Sequence, residues 1–145
     1  MKNQNSNQKK DLIFLVVDDE EVLREAIAYC LKNQGYSVMT APDGVAAVEI
    51  LENFPNQYFL ISDINMPRMG GYSLMMRICE KKMPVRGAIL CSGQGIDDHL
   101  FGVINDCAAE NAIPVTFLEK PVGLEQVESQ VASMITFGES QLITE

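Results

Sequence analysis

A chain of 145 residues, 47% of them hydrophobic, is long enough for one domain to bury a core without disulfide or metal staples. Its 20 acidic against 11 basic side chains leave a formal charge of −9, and its only basic groupings are Lys9-Lys10 and Lys81-Lys82. That pattern excludes the clustered cations on which nucleic-acid binding by counterion release depends.

The opening segment, MKNQNSNQKK, is amide-rich and has no apolar stretch after its lysines. It reads as a disordered lead over residues 1–10 and not as a signal peptide. Leu12 to Val17 is a continuous apolar run ending in Asp18 and Asp19, the pattern of a strand buried on both faces and far too short to span a bilayer. Val22, Leu23, Ala26, Ile27, Cys30 and Leu31 then recur at helical spacing until Asn33 and Gly35 stop the helix. Tyr36 to Thr40 is a second strand, and Pro42-Asp43-Gly44 turns into a second helix carried by Val45, Val48, Ile50 and Leu51. Tyr58 to Ser62 is the third strand, closed by Asp63 and followed by the loop from Asn65 to Gly71. A helix through Leu74, Met75 and Ile78 precedes strand four, Gly87 to Cys91. A fourth helix is expected from Ile96 to Ala112 with Asp97 and Asp98 in its first turn, then strand five from Val115 to Leu118. Leu124, Val127, Val131, Met134 and Ile135 mark the last helix, with a polar tail or linker start over residues 138–145.

Five strand–helix units in series predict an α/β fold, a doubly wound parallel sheet with helices on both faces, because right-handed crossovers leave few other topologies. One domain over residues 11–137 accounts for all of them. The four cysteines, Cys30, Cys79, Cys91 and Cys107, lack C-x-x-C spacing and read as buried, reduced thiols of a cytoplasmic protein.

In a parallel sheet, Asp18-Asp19, Asp63, Ser92 and Lys120 all emerge at the carboxyl edge, where α/β proteins place their sites. Adjacent carboxylates leaving an apolar strand call for a compensating cation, although helix capping and first-turn acids explain the pair equally well. Asp63, opposite Asp19 on a neighbouring strand, would complete an oxygen set for Mg2+, with the backbone carbonyl of Asn65 as a neutral ligand; a plain turn-forming acid is the alternative. Lys120, ahead of Pro121 at a bond where cis is cheap, would approach Asp63 and stabilise a phosphoryl group in transfer, or else sit at a surface turn. Ser92-Gly93 offers a hydroxyl and a close backbone approach. Gln94 lies two residues beyond Ser92, where it would set how long a phosphoryl group survives water, or face solvent. His99 has no neighbouring ligand pattern and reads as a surface residue.

Taken in order, VVDDE, SDINMPRMGG, CSG and FLEKP resemble the motifs of the receiver domain of two-component response regulators, over roughly residues 11 to 137. The resemblance implies a flavodoxin-like sheet of order 2-1-3-4-5. It implies Asp63 as phospho-acceptor, Asp19 as direct Mg2+ ligand (Mn2+ being the alternative ion), Asp18 assisting through water, and Asn65 ligating by its carbonyl. Ser92 would be the hydroxyl switch, Lys120 the phosphate-contacting lysine and Phe117 the aromatic switch. Implied partners are a sensor histidine kinase or histidine phosphotransfer protein and a downstream protein target or effector region, with output through the face of the fourth helix, fifth strand and fifth helix. Such a chain is not an enzyme beyond its own Mg2+-dependent phosphorylation and dephosphorylation.

Three departures from the family pattern carry expectations. Phe117 lacks the hydroxyl of the tyrosine often found there, so any switch is a packing event. Gly70-Gly71 replaces an acid or serine before a single glycine, which predicts a looser loop. Ala112-Ile113-Pro114 replaces a glycine-containing acidic turn. A competing reading, an aspartyl-phosphate phosphatase like the haloacid dehalogenases, needs a second acid two residues after the nucleophile, where this chain has Asn65. A nucleotide- or flavin-binding domain would need a fuller glycine-rich loop than Gly93-Gln94-Gly95.

Overall fold

The apolar runs form five parallel strands: β1 (Leu12–Val17), β2 (Ser37–Ala41), β3 (Gln57–Asp63), β4 (Val85–Ser92) and β5 (Val115–Glu119). They are ordered β2-β1-β3-β4-β5, as the resemblance implies. The computed structural model describes residues 12–93 and 97–143, with residues 136–143 described as backbone alone. The lead over residues 1–10, Gln94 and Gly95 lie outside the described residues. The helices are α1 (Glu21–Asn33), α2 (Gly44–Asn53), α3 (Gly71–Lys81), α4 (Asp98–Glu110) and α5 (Leu124–Ile143). The last of these runs past Gly138, where the sequence reading placed the start of a tail. Among the described residues, no helix is long and apolar enough to cross a membrane.

Successive strand residues point to opposite faces, so each continuous apolar run feeds two cores at once. Leu15, Val17, Tyr58, Leu60, Ala88 and Leu90 join Val48 and Leu51 of α2, Leu74 and Ile78 of α3, and Ile104 of α4. Phe14, Val16, Phe59, Ile61, Ile89 and Cys91 join Ile27 and Leu31 of α1 and Val127 and Val131 of α5 on the other face. Each of the Val, Leu, Ile and Phe side chains among them contributes about 1.5–3 kcal/mol when fully buried, so both layers stabilise the sheet.

Helix ends follow local chemistry. Gly35, at φ 93°, ends α1: its N–H donates to Lys32 O and that of Tyr36 to Leu31 O, closing the orphan carbonyls of the last turn. Asp97 is the N-cap of α4, its carboxylate accepting from His99 N at 2.8 Å, so the helix starts at Asp98 and not at Ile96. Ala112, expected inside that helix, lies beyond it at φ 56°. Val22, grouped with the apolar side of α1 by its spacing, is 85% exposed.

The chain passes from β1 to β2 on one side and then back across β1 to β3 on the other. That reversal opens a crevice above the carboxyl ends of β1 and β3 and places Asp18 beside Asp63.

Candidate functional site

Four of the sequence-selected groups converge in this crevice. Asp63 is the last residue of β3, 6% exposed, and Asp18 directly follows β1 at 4% exposed. Asp19, next along, faces solvent, and one carboxylate oxygen each from Asp18, Asp19 and Asp63 lie within 4.8 Å of one another. Lys120 reaches in from the end of β5, its Nζ 3.2 Å from Asp63 Oδ2, 3.5 Å from Asp18 Oδ2 and 3.9 Å from Glu20 Oε1. The Lys120–Pro121 peptide bond is cis.

The main chain holds these side chains in place. Asp18 N donates to Ala41 O, Ile64 N to Cys91 O at 2.8 Å and Lys120 N to Ser92 O at 2.7 Å, each just past a strand end or at its last residue. Ser92, the last residue of β4, is buried one position beyond the Cys91 that pairs with Asp63. Asn65 is exposed, and its N–H donates to Asp63 Oδ1 at 3.3 Å. Phe117 is not in the crevice. It lies on β5 opposite Leu90, packs against the α2–α3–α4 core, and stacks on Phe101 of α4 with centroids 4.4 Å apart.

The loop after Asp63 is closed, against the expectation of looseness. Gly71 N donates to Ile64 O at 2.9 Å, and Gly44 N to Met69 O at 2.8 Å. A Cβ on Gly70 would lie 2.3 Å from Ile64 O and one on Gly71 2.6 Å from Asp63 O. The paired glycines therefore permit backbone-to-backbone contact directly behind Asp63.

Electrostatics of the crevice are set by burial and by a shortage of cations. Burial raises the Asp63 carboxyl above its ordinary value; Lys120 and the Asn65 N–H pull it down, and the Asp18 charge pushes it up again. For Lys120, burial disfavours the ammonium, but the hydrogen bond to Asp63 and the charges of Asp18, Asp63 and Glu20 outweigh it and leave its pKa raised. Cys91, beneath the site, is pushed up to about 11, first by burial, so it is an inert thiol. All three clustered acids offer hard oxygen donors from two strands against one ammonium, a donor set that fits Mg2+ or Mn2+ and not a soft metal.

A model of the response regulator receiver domain matches residues 14–132. This chain belongs to that family. Among curated relatives, the receiver is 35% identical over 112 residues to the two-component response regulator ORR11 of Oryza sativa subsp. indica, covering 74% of this chain and 70% of the relative. It is also 43% identical over 68 residues to the sensor histidine kinase RcsC of Escherichia coli, covering 47% of this chain but 7% of that protein. Among solved structures, the CheY-like receiver domain protein of Methanospirillum hungatei superposes with a TM-score of 0.71 at 18% identity, covering 89% of this chain and 97% of that one. Chemotaxis protein CheY4 of Vibrio cholerae does so with a TM-score of 0.67 at 21% identity, covering 85% and 98%. At these identities the structures speak for the fold.

Some contacts were not read from the sequence. Arg24 Nη1 donates to Asp18 O at 2.8 Å, although a polar residue on an amphipathic helix gives no sign that it faces inward. Asp43, 5% exposed, caps α2 through Ala46 N at 2.9 Å and pairs with Arg68 at 3.4 Å, joining α2 to the loop after Asp63. The Pro42-Asp43-Gly44 turn carried a signal for the cap but none for its partner.

Proposed function

We propose that this receiver takes a phosphoryl group from a phosphohistidine onto the Asp63 carboxylate and signals through its α4–β5–α5 face. The observation that carries the reading is the Lys120 ammonium 3.2 Å from Asp63 Oδ2, in a crevice where two further carboxylates converge. Asp19, Asp63 and the Asn65 carbonyl would hold Mg2+ directly, with Asp18 acting through water; Mn2+ fits the same donors. The bound ion supplies charge neutralisation for the incoming phosphoryl group.

The chain's own residues do the rest. An Asp63 oxygen attacks phosphorus in line as the P–N bond to histidine breaks, and the leaving imidazole keeps the electron pair and takes a proton from solvent. Lys120 stays close enough to neutralise the equatorial oxygens. A groove of about 390 Å³ beside Lys120, lined by Glu20, Leu23, Pro121 and Val122, supports approach of a histidine kinase or phosphotransfer protein from the α1 side.

The acyl phosphate is a stronger acceptor than the carboxylate. Ser92 would turn to donate to it, leaving room for Phe117, whose present partner is Phe101 on α4. Because both rings lack a hydroxyl, the switch would be a change of packing. A downstream protein or effector region would read that face, and the site of action is the cytoplasm. The haloacid-dehalogenase-like alternative finds no support in the crevice, since the acids beside Asp63 come from the β1 end and Asn65 stands where its general acid would be.

Intact-mass measurement after incubation with acetyl phosphate tests this reading. A gain of one phosphoryl group by wild type with Mg2+, absent with chelator and absent in Asp63→Asn, is expected. Equal labelling of Asp63→Asn would overturn the assignment.

A further inference from the structure

Asp18 sits where β1 has ended and α1 has not begun, so its N–H still reaches the last residue of β2 but its carbonyl oxygen has no place in a ladder or a helical turn. Its N–H donates to Ala41 O at 3.1 Å and one carboxylate oxygen accepts from Glu20 N at 2.9 Å. The other carboxylate oxygen is 3.5 Å from Lys120 Nζ. Its carbonyl oxygen accepts from Arg24 Nη1 at 2.8 Å. Arg24 lies in the first turns of α1 with its side chain 15% exposed, and its one ion pair among the described residues is a 4.0 Å contact with Glu25, itself 60% exposed. The close, inward partner of this guanidinium is thus a backbone carbonyl and not a surface acid.

That carbonyl belongs to the Asp18–Asp19 peptide. Anchoring this carbonyl fixes ψ at Asp18, and with it the direction in which the chain carries Asp19 away from β1, while Mg2+ or Mn2+ tolerates little departure from near-octahedral geometry. We propose that Arg24 is a positioning residue for divalent-metal binding, fixing the Asp18–Asp19 peptide so that the Asp19 and Asp18 carboxylates converge on Asp63. The inference rests on the metal reading above. It makes a prediction of sign: a cation beside a cation site opposes metal binding by Coulomb repulsion, so removing Arg24 for its charge alone would tighten binding, whereas removing it as a positioner loosens binding.

The test is titration of the metal-free, unphosphorylated chain with Mn2+, followed by the electron paramagnetic resonance signal of free Mn2+, in about 1 M KCl where charges are screened beyond about 3 Å. Wild type is expected to bind and Asp19→Asn to lose binding. Arg24→Met, which keeps the apolar stem, is expected to bind about tenfold more weakly, the scale on which residues behind metal ligands act. Arg24→Lys, which keeps a cationic donor, is expected to recover most of that loss. Melting temperatures measured alongside separate a merely structural role, which would lower melting and leave the Mn2+ affinity of the folded protein unchanged. If Arg24→Met does not fold, Arg24→Gln is judged by the same criterion. Unchanged or tighter Mn2+ binding in the variant, with Asp19→Asn defective, overturns the role of Arg24 alone. No binding by wild type overturns the metal reading and this inference with it.

Discussion

Replacing Asp63 by asparagine is expected to stabilise the metal-free protein. Asp63 is 6% exposed, and its carboxyl is raised above the ordinary value of 3.8, first by burial. At an effective dielectric of about 20, the Lys120 contact at 3.2 Å attracts with about 5 kcal/mol. Each of two carboxylates within 4.8 Å repels with about 3.5 kcal/mol or more, less for the solvent-screened Asp19. Attraction and repulsion therefore nearly cancel, and what remains is the desolvation of a buried anion, which the amide avoids while still accepting from Asn65 N. A net gain of about 1–2 kcal/mol is expected, in line with the general conflict between site chemistry and stability.

The pH dependence follows from the raised carboxyl. Stability contributed by a group whose folded pKa lies above its unfolded value is fully present below the unfolded value, here 3.8, and is lost as pH rises through the folded one. Wild type carries this loss at neutral pH and the asparagine variant does not. Urea unfolding in chelator should show the variant's advantage in full at pH 7 and gone below pH 3.8. Excess Mg2+ should shrink it, because the ion stabilises wild type more. A variant no more stable than wild type in chelator at pH 7, or an advantage that grows toward acid, would refute the reasoning.

Lys120→Ala leaves Asp18 and Asp63 buried without their cation and should cost about 3 kcal/mol in chelator by urea unfolding; it should retain partial phosphoryl labelling yet show no change at Phe117 by NMR on adding beryllofluoride. A wild-type response at Phe117 would contradict that role. Ala112 holds a left-handed conformation at φ 56°, so Ala112→Gly should raise stability by about 1 kcal/mol, and a loss would show that the strain is not there. Asp43→Ala should cost about 1–2 kcal/mol through the lost α2 cap, whereas Asp43→Asn, which keeps the acceptor for Ala46 N and loses only the charge facing exposed Arg68, should cost less than 1 kcal/mol. Equal costs would place the stabilisation in the ion pair.

The strands were legible because a parallel sheet is apolar on both faces: LIFLVV and YFLIS admit few other readings, and each is followed directly by an acid that meets the crevice. The same rule located Asp18, Asp63, Ser92 and Lys120 without any contact being known. On α1, Leu23, Ile27 and Leu31 face the core as their spacing implies, and what failed was the edge of that face. Its spacing put Val22 inward and gave Arg24 no role, but a helix is rotated by all its contacts together, and the one that turns Arg24 inward is a bond to the Asp18 carbonyl, which no side-chain pattern encodes. The start of α4 shifted because Asp97 caps from outside the helix and does not sit in its first turn. The tightness of the loop after Asp63 was hidden for a different reason. Paired glycines signal freedom in sequence, while here Gly70 and Gly71 serve close backbone contact with Ile64 and Asp63.

The central claim is that the phosphoryl group resides on Asp63, and borohydride trapping locates it directly. Reduction converts an aspartyl phosphate to homoserine, which peptide mass spectrometry assigns to a position. After treatment with acetyl phosphate and Mg2+, homoserine should appear at position 63 and only there, and should be absent when Mg2+ is chelated. Homoserine at position 18 or 19, or phosphate retained on a serine through reduction, would contradict the account.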